Sequence, residues 1–229
     1  MTFALAGRCS RTGAFGAAAA TCDLAVGARV PFAEAGVGAV LTQHRTDPRL
    51  GPAGLALLRG GADAAAAAAA LRDSAPHAAW RQVAVVDAAG RTAAWSGAEV
   101  VTASCEEHGV DCVAIGNCLA GDGVGRAMTG AFESAPGEPL AERLVRALEA
   151  GAAAGGETSP TRSAAVLVVR DPGFALVDLR VDDDADPVGG VRRLWSAYRP
   201  WTADFRQRVL DPDRASGAAG DGAGDGDLP

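Results

Sequence analysis

The chain has 229 residues, 48% hydrophobic and 21% charged, which suits one globular domain with a sizeable core. A formal net charge of −7 argues against nucleic acid as a partner, because phosphate binding needs a basic surface. No apolar run is long enough to span a bilayer and the N-terminus lacks the features of a secretory signal, so no membrane association and a cytoplasmic location are expected.

Two apolar segments, Thr2 to Gly7 and Phe15 to Thr21, flank the turn-rich residues 8–13 and predict an N-terminal β-hairpin. The alanine run of the second segment favours a helix by propensity, but Gly13, Gly16 and Gly27 oppose one. Gly36 to Thr42 predicts a further strand, followed by two short helices, Pro52 to Arg59 and Ala62 to Arg72. Gln82 to Asp87 and Arg91 to Ser96 form a predicted hairpin, and Cys112 to Ile115 a short strand ending at Gly116-Asn117.

Val124, Met128 and Phe132 recur at helical spacing, as do Leu140, Leu144 and Leu148, whose helix ends at Gly151 and Gly155-Gly156. Asp171-Pro172-Gly173 turns a last hairpin of Ser163 to Arg170 and Phe174 to Val181. Asp186 caps a final helix carrying Val188, Val191, Trp195 and Tyr198 on one face. Residues 1–212 are therefore expected to form a single domain. The Gly/Ala/Asp-rich residues 213–229 form an acidic tail that cannot bury a core and is expected to be disordered.

Strands joined mostly by hairpin turns, with helices in separate runs, predict an α+β fold of antiparallel sheets. A four-layer αββα sandwich accommodates this order, although the pattern alone does not select it.

All 21 Lys+Arg residues are arginine, so no lysine can act as a base, a Schiff-base former or a phosphate ligand. The odd number of cysteines (Cys9, Cys22, Cys105, Cys112, Cys118) reads as buried thiols rather than a disulfide frame. Cys105, His108, Cys112 and Cys118 lack the spacing of a zinc site, and Asp182, Asp183, Asp184 and Asp186 lack that of an EF-hand loop, so no metal is expected. A phosphate-binding glycine loop and a G-x-S-x-G elbow are both missing.

Several stretches together resemble a bacterial family known as domain of unknown function 1028, grouped with the Ntn (N-terminal nucleophile) hydrolases. They are Met1-Thr2-Phe3, Gly16 to Thr21, Ala25-Val26-Gly27, Val30-Pro31, Ala35 to Gln43, Arg81-Gln82-Val83, Val85-Val86-Asp87, Gly116 to Gly121 and Asp178 to Asp183. The resemblance implies the αββα sandwich, an amidohydrolase ancestry and a homodimer, without a settled substrate. The chain departs from it where Thr21-Cys22 replace Ser-Lys, Asp47-Pro48 replace Asn-Pro, and Ile115-Gly116-Asn117-Cys118 replace Gln-Gly-Asn-Met.

Threonine at position 2 is common by chance, and it is the resemblance that brings Thr2 forward as a nucleophile. Once Met1 is removed, its hydroxyl attacks and its own α-amine, with a reference pKa of roughly 7.7–8.0, accepts the proton. No metal or organic cofactor is needed, and the expected partner is a small-molecule amide substrate. The same resemblance makes the Asn117 side-chain amide an oxyanion donor, against the alternative of a turn asparagine. Thr21, at the end of the strand paired with Thr2, is expected to orient the amine, and Gln43 to contact substrate; either can instead satisfy local backbone. The competing expectation is an inactive family member that binds a metabolite in the same cleft, favoured by Cys22 in place of the family lysine.

Overall fold

A computed structural model describes residues 1–215. Of the acidic tail expected from Asp213 onward, residues 216–229 lie outside the described residues, while Pro212–Arg214 form a single 3-10 turn.

In chain order the strands are β1 (Thr2–Arg8), β2 (Phe15–Thr21), β3 (Pro31–Glu34), β4 (Gly38–His44), β5 (Arg81–Asp87), β6 (Thr92–Ser96), β7 (Cys105–Gly109), β8 (Cys112–Asn117), β9 (Ser163–Val169) and β10 (Ala175–Val181). The helices are α1 (Leu50–Arg59), α2 (Ala64–Ser74), α3 (Val124–Glu133), α4 (Leu140–Ala153), α5 (Pro187–Tyr198) and α6 (Thr202–Leu210). The strands build two antiparallel sheets, one ordered β10-β9-β2-β1-β8-β7 and the other β3-β4-β5-β6. Among the described residues no helix is long and apolar enough to cross a membrane.

Side-chain alternation along each strand determines what each sheet face meets. Phe3, Leu5, Ala18, Ala20, Cys112 and Ala114 pack against Met128 and Phe132 of α3, Leu144 and Leu148 of α4, and Val191 and Trp195 of α5. The opposite face carries Ala4, Ala6, Ala17, Ala19, Val113 and Ile115, which meet Ala39, Leu41, Ala84 and Val86 of the smaller sheet. Val40, Val83 and Val85, on the far side of that smaller sheet, are covered by Leu55 and Leu58 of α1 and Leu71 of α2. The fold is therefore α+β, with two antiparallel sheets that share an apolar cluster.

The alanine run of β2 forms a strand despite its helical propensity, because both of its faces are buried and small side chains let the layers approach. Gly38 adopts φ +157, and a Cβ there would come within 2.3 Å of the Val86 carbonyl oxygen, so the β4–β5 contact requires glycine. Asp63 caps α2 by accepting from the Ala66 amide at 2.8 Å, and Asp186 caps α5 by accepting from Gly189 at 3.1 Å.

Candidate active site

Seven polar positions lie on inter-sheet faces and gather at one end of the space between the sheets. From the larger sheet come Thr2 at the start of β1, Thr21 at the end of β2, Asn117 at the end of β8 and Ser163 at the start of β9. From the smaller sheet come Gln43 near the end of β4, Gln82 near the start of β5 and Ser96 at the end of β6. Each lies an even number of residues from an apolar inter-sheet neighbour (Ala4, Ala19, Ile115, Ala165, Leu41, Ala84 and Ala94), so alternation points all seven the same way.

Register completes the convergence. Asn117 pairs directly across the ladder with Thr2, while Phe3 pairs with Ala20 and so sets Thr2 beside Thr21. Gln43 faces Gln82, and Gln82 faces Ser96. Gln43 thus reaches Thr2 from the opposite sheet. Asn117 is the last residue of β8, directly before Cys118, which takes the positive φ.

The hydroxyl of Thr2 lies 3.3 Å from that of Thr21, and both hydroxyls donate to the Met1 carbonyl oxygen. Thr21 therefore contacts the carbonyl of the peptide bond that holds the Thr2 nitrogen. Gln82 is the hub of a buried amide network. Its Nε2 donates to the Gly116 carbonyl and to Ser96 Oγ, both at 2.9 Å, so Oε1 must be its acceptor. That oxygen accepts from Gln43 Nε2 at 2.7 Å and from Asn117 Nδ2 at 3.1 Å, which fixes both partner amides as donors. Gln43 Nε2 also reaches the Thr2 carbonyl at 3.5 Å. Gln43 Oε1 and Asn117 Oδ1 are buried without a hydrogen-bond partner. Such groups are costly to leave unpaired in a folded protein and recur where a ligand supplies the missing bond.

Sequence reasoning missed Glu157, which follows Gly155-Gly156 after α4 and pairs with Leu119 in an isolated bridge. It is 6% exposed, and neither carboxylate oxygen has a donor in hydrogen-bond geometry. Burial pushes its carboxyl up to about 7; the α-amine at Met1 opposes the rise, Asp23 adds to it, and the Cys22 backbone N–H favours the charged form. Burial first, and then the Glu157 charge, raise the half-buried Cys22 thiol. The one available signal in sequence was an acidic residue placed directly after a helix-ending glycine pair. Ser163, also missed, donates to the Asp23 carbonyl at 2.7 Å and accepts from the Val26 amide at 3.0 Å, bracing the loop behind Cys22.

Asp47, where the chain departs from the family pattern, is buried in the loop between β4 and α1. Hydrogen bonds from Arg49 lead in holding its carboxyl at about 2, against the desolvation of burial. His44 lies nearer the surface, its Nδ1 2.9 Å from the Trp80 carbonyl oxygen and its ring stacked on Trp80.

A family model described as "Family of unknown function (DUF1028)" matches residues 2–191. Among solved structures the chain is similar to protein SPO2555 from Silicibacter pomeroyi, which is itself matched to DUF1028. The two are 30% identical over 90% of each chain, with a TM-score of 0.83. Anbu (ancestral beta-subunit) from Yersinia bercovieri is 13% identical over 90% of this chain and 97% of its own, with a TM-score of 0.41. At that distance the likeness carries no argument. No curated protein matches the sequence.

Proposed function

Because the chain belongs to the DUF1028 family, whose description assigns no activity, we propose from the site itself that it is an N-terminal-threonine amidohydrolase on a four-layer αββα, Ntn-hydrolase-like sandwich. The supporting observation is that the Thr2 and Thr21 hydroxyls both donate to the Met1 carbonyl, with Asn117 paired to Thr2 across the ladder, at the polar end of an otherwise apolar inter-sheet space. A carbonyl attached to Thr2 already accepts from the Thr21 hydroxyl, as the carbonyl of an amide substrate would in the mature protein.

In the proposed reaction, removal of Met1 frees the Thr2 α-amine. The Thr2 hydroxyl oxygen adds to the amide carbonyl carbon, and its proton passes to that amine. Thr21, with the second amide hydrogen of Asn117, meets the developing oxyanion. The amine then protonates the leaving nitrogen, the C–N bond breaks, and water hydrolyses the resulting ester. Gln43, held by Gln82, lines the substrate side. This chemistry uses no lysine, in keeping with a sequence that has none.

A second reading is an inactive member that binds a metabolite in the same cleft. It is favoured by Cys22, which gives the buried Glu157 no cationic side chain at that position. Hydrolysis of a panel of chromogenic anilides separates the two. The amidohydrolase reading expects turnover that is lost by at least about a thousandfold in Thr2→Ala and retained in part by Thr2→Ser. Turnover unchanged in Thr2→Ala would refute it.

A further inference from the structure

Met1 precedes Thr2, and both its carbonyl and its thioether meet a protein partner. Its carbonyl accepts from the Thr2 and Thr21 hydroxyls. Its thioether sulfur accepts from Thr158 Oγ1 at 3.1 Å. Its α-amine forms no ion pair among the described residues, but its charge acts on the Glu157 carboxyl from farther away. Met1 is thus an α-aminoacyl group on the Thr2 nitrogen whose carbonyl oxygen accepts from the Thr2 hydroxyl and whose charge is felt by the Glu157 carboxyl.

Glu157 explains itself poorly as a structural group. It is buried, its oxygens have no donor in hydrogen-bond geometry, and Asp23 adds a like charge nearby. An unpaired buried carboxyl costs stability and returns nothing unless a cation arrives. It lines a cavity of about 340 Å³ with Phe3, Gly155, Gly156, Thr158 and Thr161. The cavity adjoins the Met1 side chain through Thr158, and it has room for the remainder of an acyl group. Cys22, whose thiol is raised in part by the Glu157 charge, supplies no cation to compete with a ligand.

We propose that the substrate is an amide whose acyl side carries a free α-amino group, and that Glu157 accepts that ammonium while Thr2 attacks the adjacent carbonyl. The inference rests on the Thr2 reading and narrows it to α-aminoacyl amides and short peptides with a free N-terminus. The bond balance is unchanged: Thr2 acquires an α-aminoacyl ester, the leaving nitrogen takes the hydroxyl proton, and water releases a free amino acid. Glu157 takes no proton from the reacting atoms.

The test is calorimetric binding to protein whose loss of Met1 has been verified by mass. The probes are L-methioninamide and its desamino analogue 4-(methylsulfanyl)butanamide, the latter differing only in the missing ammonium. A charge-assisted hydrogen bond in a buried site corresponds to about tenfold or more in affinity. L-methioninamide should therefore bind at least about tenfold more tightly than the analogue. That preference should fall to within about twofold in both Glu157→Gln and Cys22→Lys, the second of which places an internal cation beside an intact Glu157. Should Glu157→Gln fail to fold, Cys22→Lys decides. Equal affinity for the two probes, binding of neither, or a preference that survives the variants would overturn the ammonium site. A preference without turnover would leave that site standing and remove the nucleophile. Conversely, Thr2-dependent turnover of N-acetylated and free substrates alike would leave the nucleophile and remove the ammonium site.

Discussion

Glu157→Gln removes a carboxyl that the fold holds near 7 through burial, against an ordinary value of 4.5. A raised carboxyl pKa means that the folded chain binds this proton more tightly than the unfolded chain does. The resulting stabilisation is fully present below 4.5 and is lost as pH rises through about 7. At about 1.4 kcal/mol per tenfold, the full effect is about 3 kcal/mol, of which about 2 kcal/mol falls between pH 5 and pH 7.5. Glutamine keeps the shape and titrates nowhere in this range. Urea unfolding of wild type and variant at both pH values isolates the effect as a difference of differences, which cancels every other titrating group. Wild type should lose about 2 kcal/mol more than the variant on going from pH 5 to pH 7.5. Parallel behaviour of the two proteins would show that Glu157 titrates normally, and the argument from its burial would fail.

Glu142 behaves with the opposite sign. Its burial is outweighed by hydrogen bonds from Arg192 at 2.8 Å, Arg146 at 2.6 Å and the Trp195 indole at 2.8 Å, which hold its carboxyl at about 2. This contribution is present above 4.5 and lost as pH falls through about 2, so Glu142→Ala should cost about 3–5 kcal/mol at neutral pH and flatten the acid limb of stability, measured by urea unfolding. Gln82→Ala strands the Gln43 and Asn117 amides and the Gly116 carbonyl in the interior, and should lower stability by about 3 kcal/mol on denaturant unfolding. Asn117→Ala should reduce kcat by about a hundredfold or more with a smaller change in KM, the signature of an interaction made in the transition state; a change in KM alone would make Asn117 a ground-state binder.

How far the sequence revealed the fold depended on whether local pattern and burial agreed. The β1–β2 and β9–β10 hairpins and helices α3 to α5 carry strong periodicity and punctuating turns, and they lie within a few residues of expectation. Three elements escaped. β3 is a four-residue strand that opens on Pro31 at the edge of its sheet, where proline lacks a donor to give. β7, Cys-Glu-Glu-His-Gly, is half-exposed on the outer edge of the larger sheet and has no apolar alternation to read. α6 has no buried residue; the Arg206–Asp171 ion pair and the packing of Phe205 with Tyr198 and Trp201 tie it down, all of them contacts from outside the helix.

The site followed the same division. Thr2, Thr21, Asn117 and Gln43 were reachable as strand-end polar residues, and their alternation with inter-sheet apolar residues was already written in the chain. Their convergence was not, because Gln43 and Gln82 come from the other sheet and only the packing of the two sheets brings them to Thr2. Glu157 depended entirely on tertiary structure: nothing local distinguishes it from a solvated glutamate at a helix end until Cys22 and the chain terminus are seen beside it.

The account turns on whether Thr2 is an exposed and activated nucleophile. Intact-mass analysis of the purified protein, before and after treatment with a β-lactone, tests this directly. The expected result is a chain lacking Met1 that gains one adduct, mapped to Thr2 and abolished in Thr2→Ala. Retention of Met1 on the soluble protein, or an adduct that maps elsewhere and survives Thr2→Ala, would contradict it.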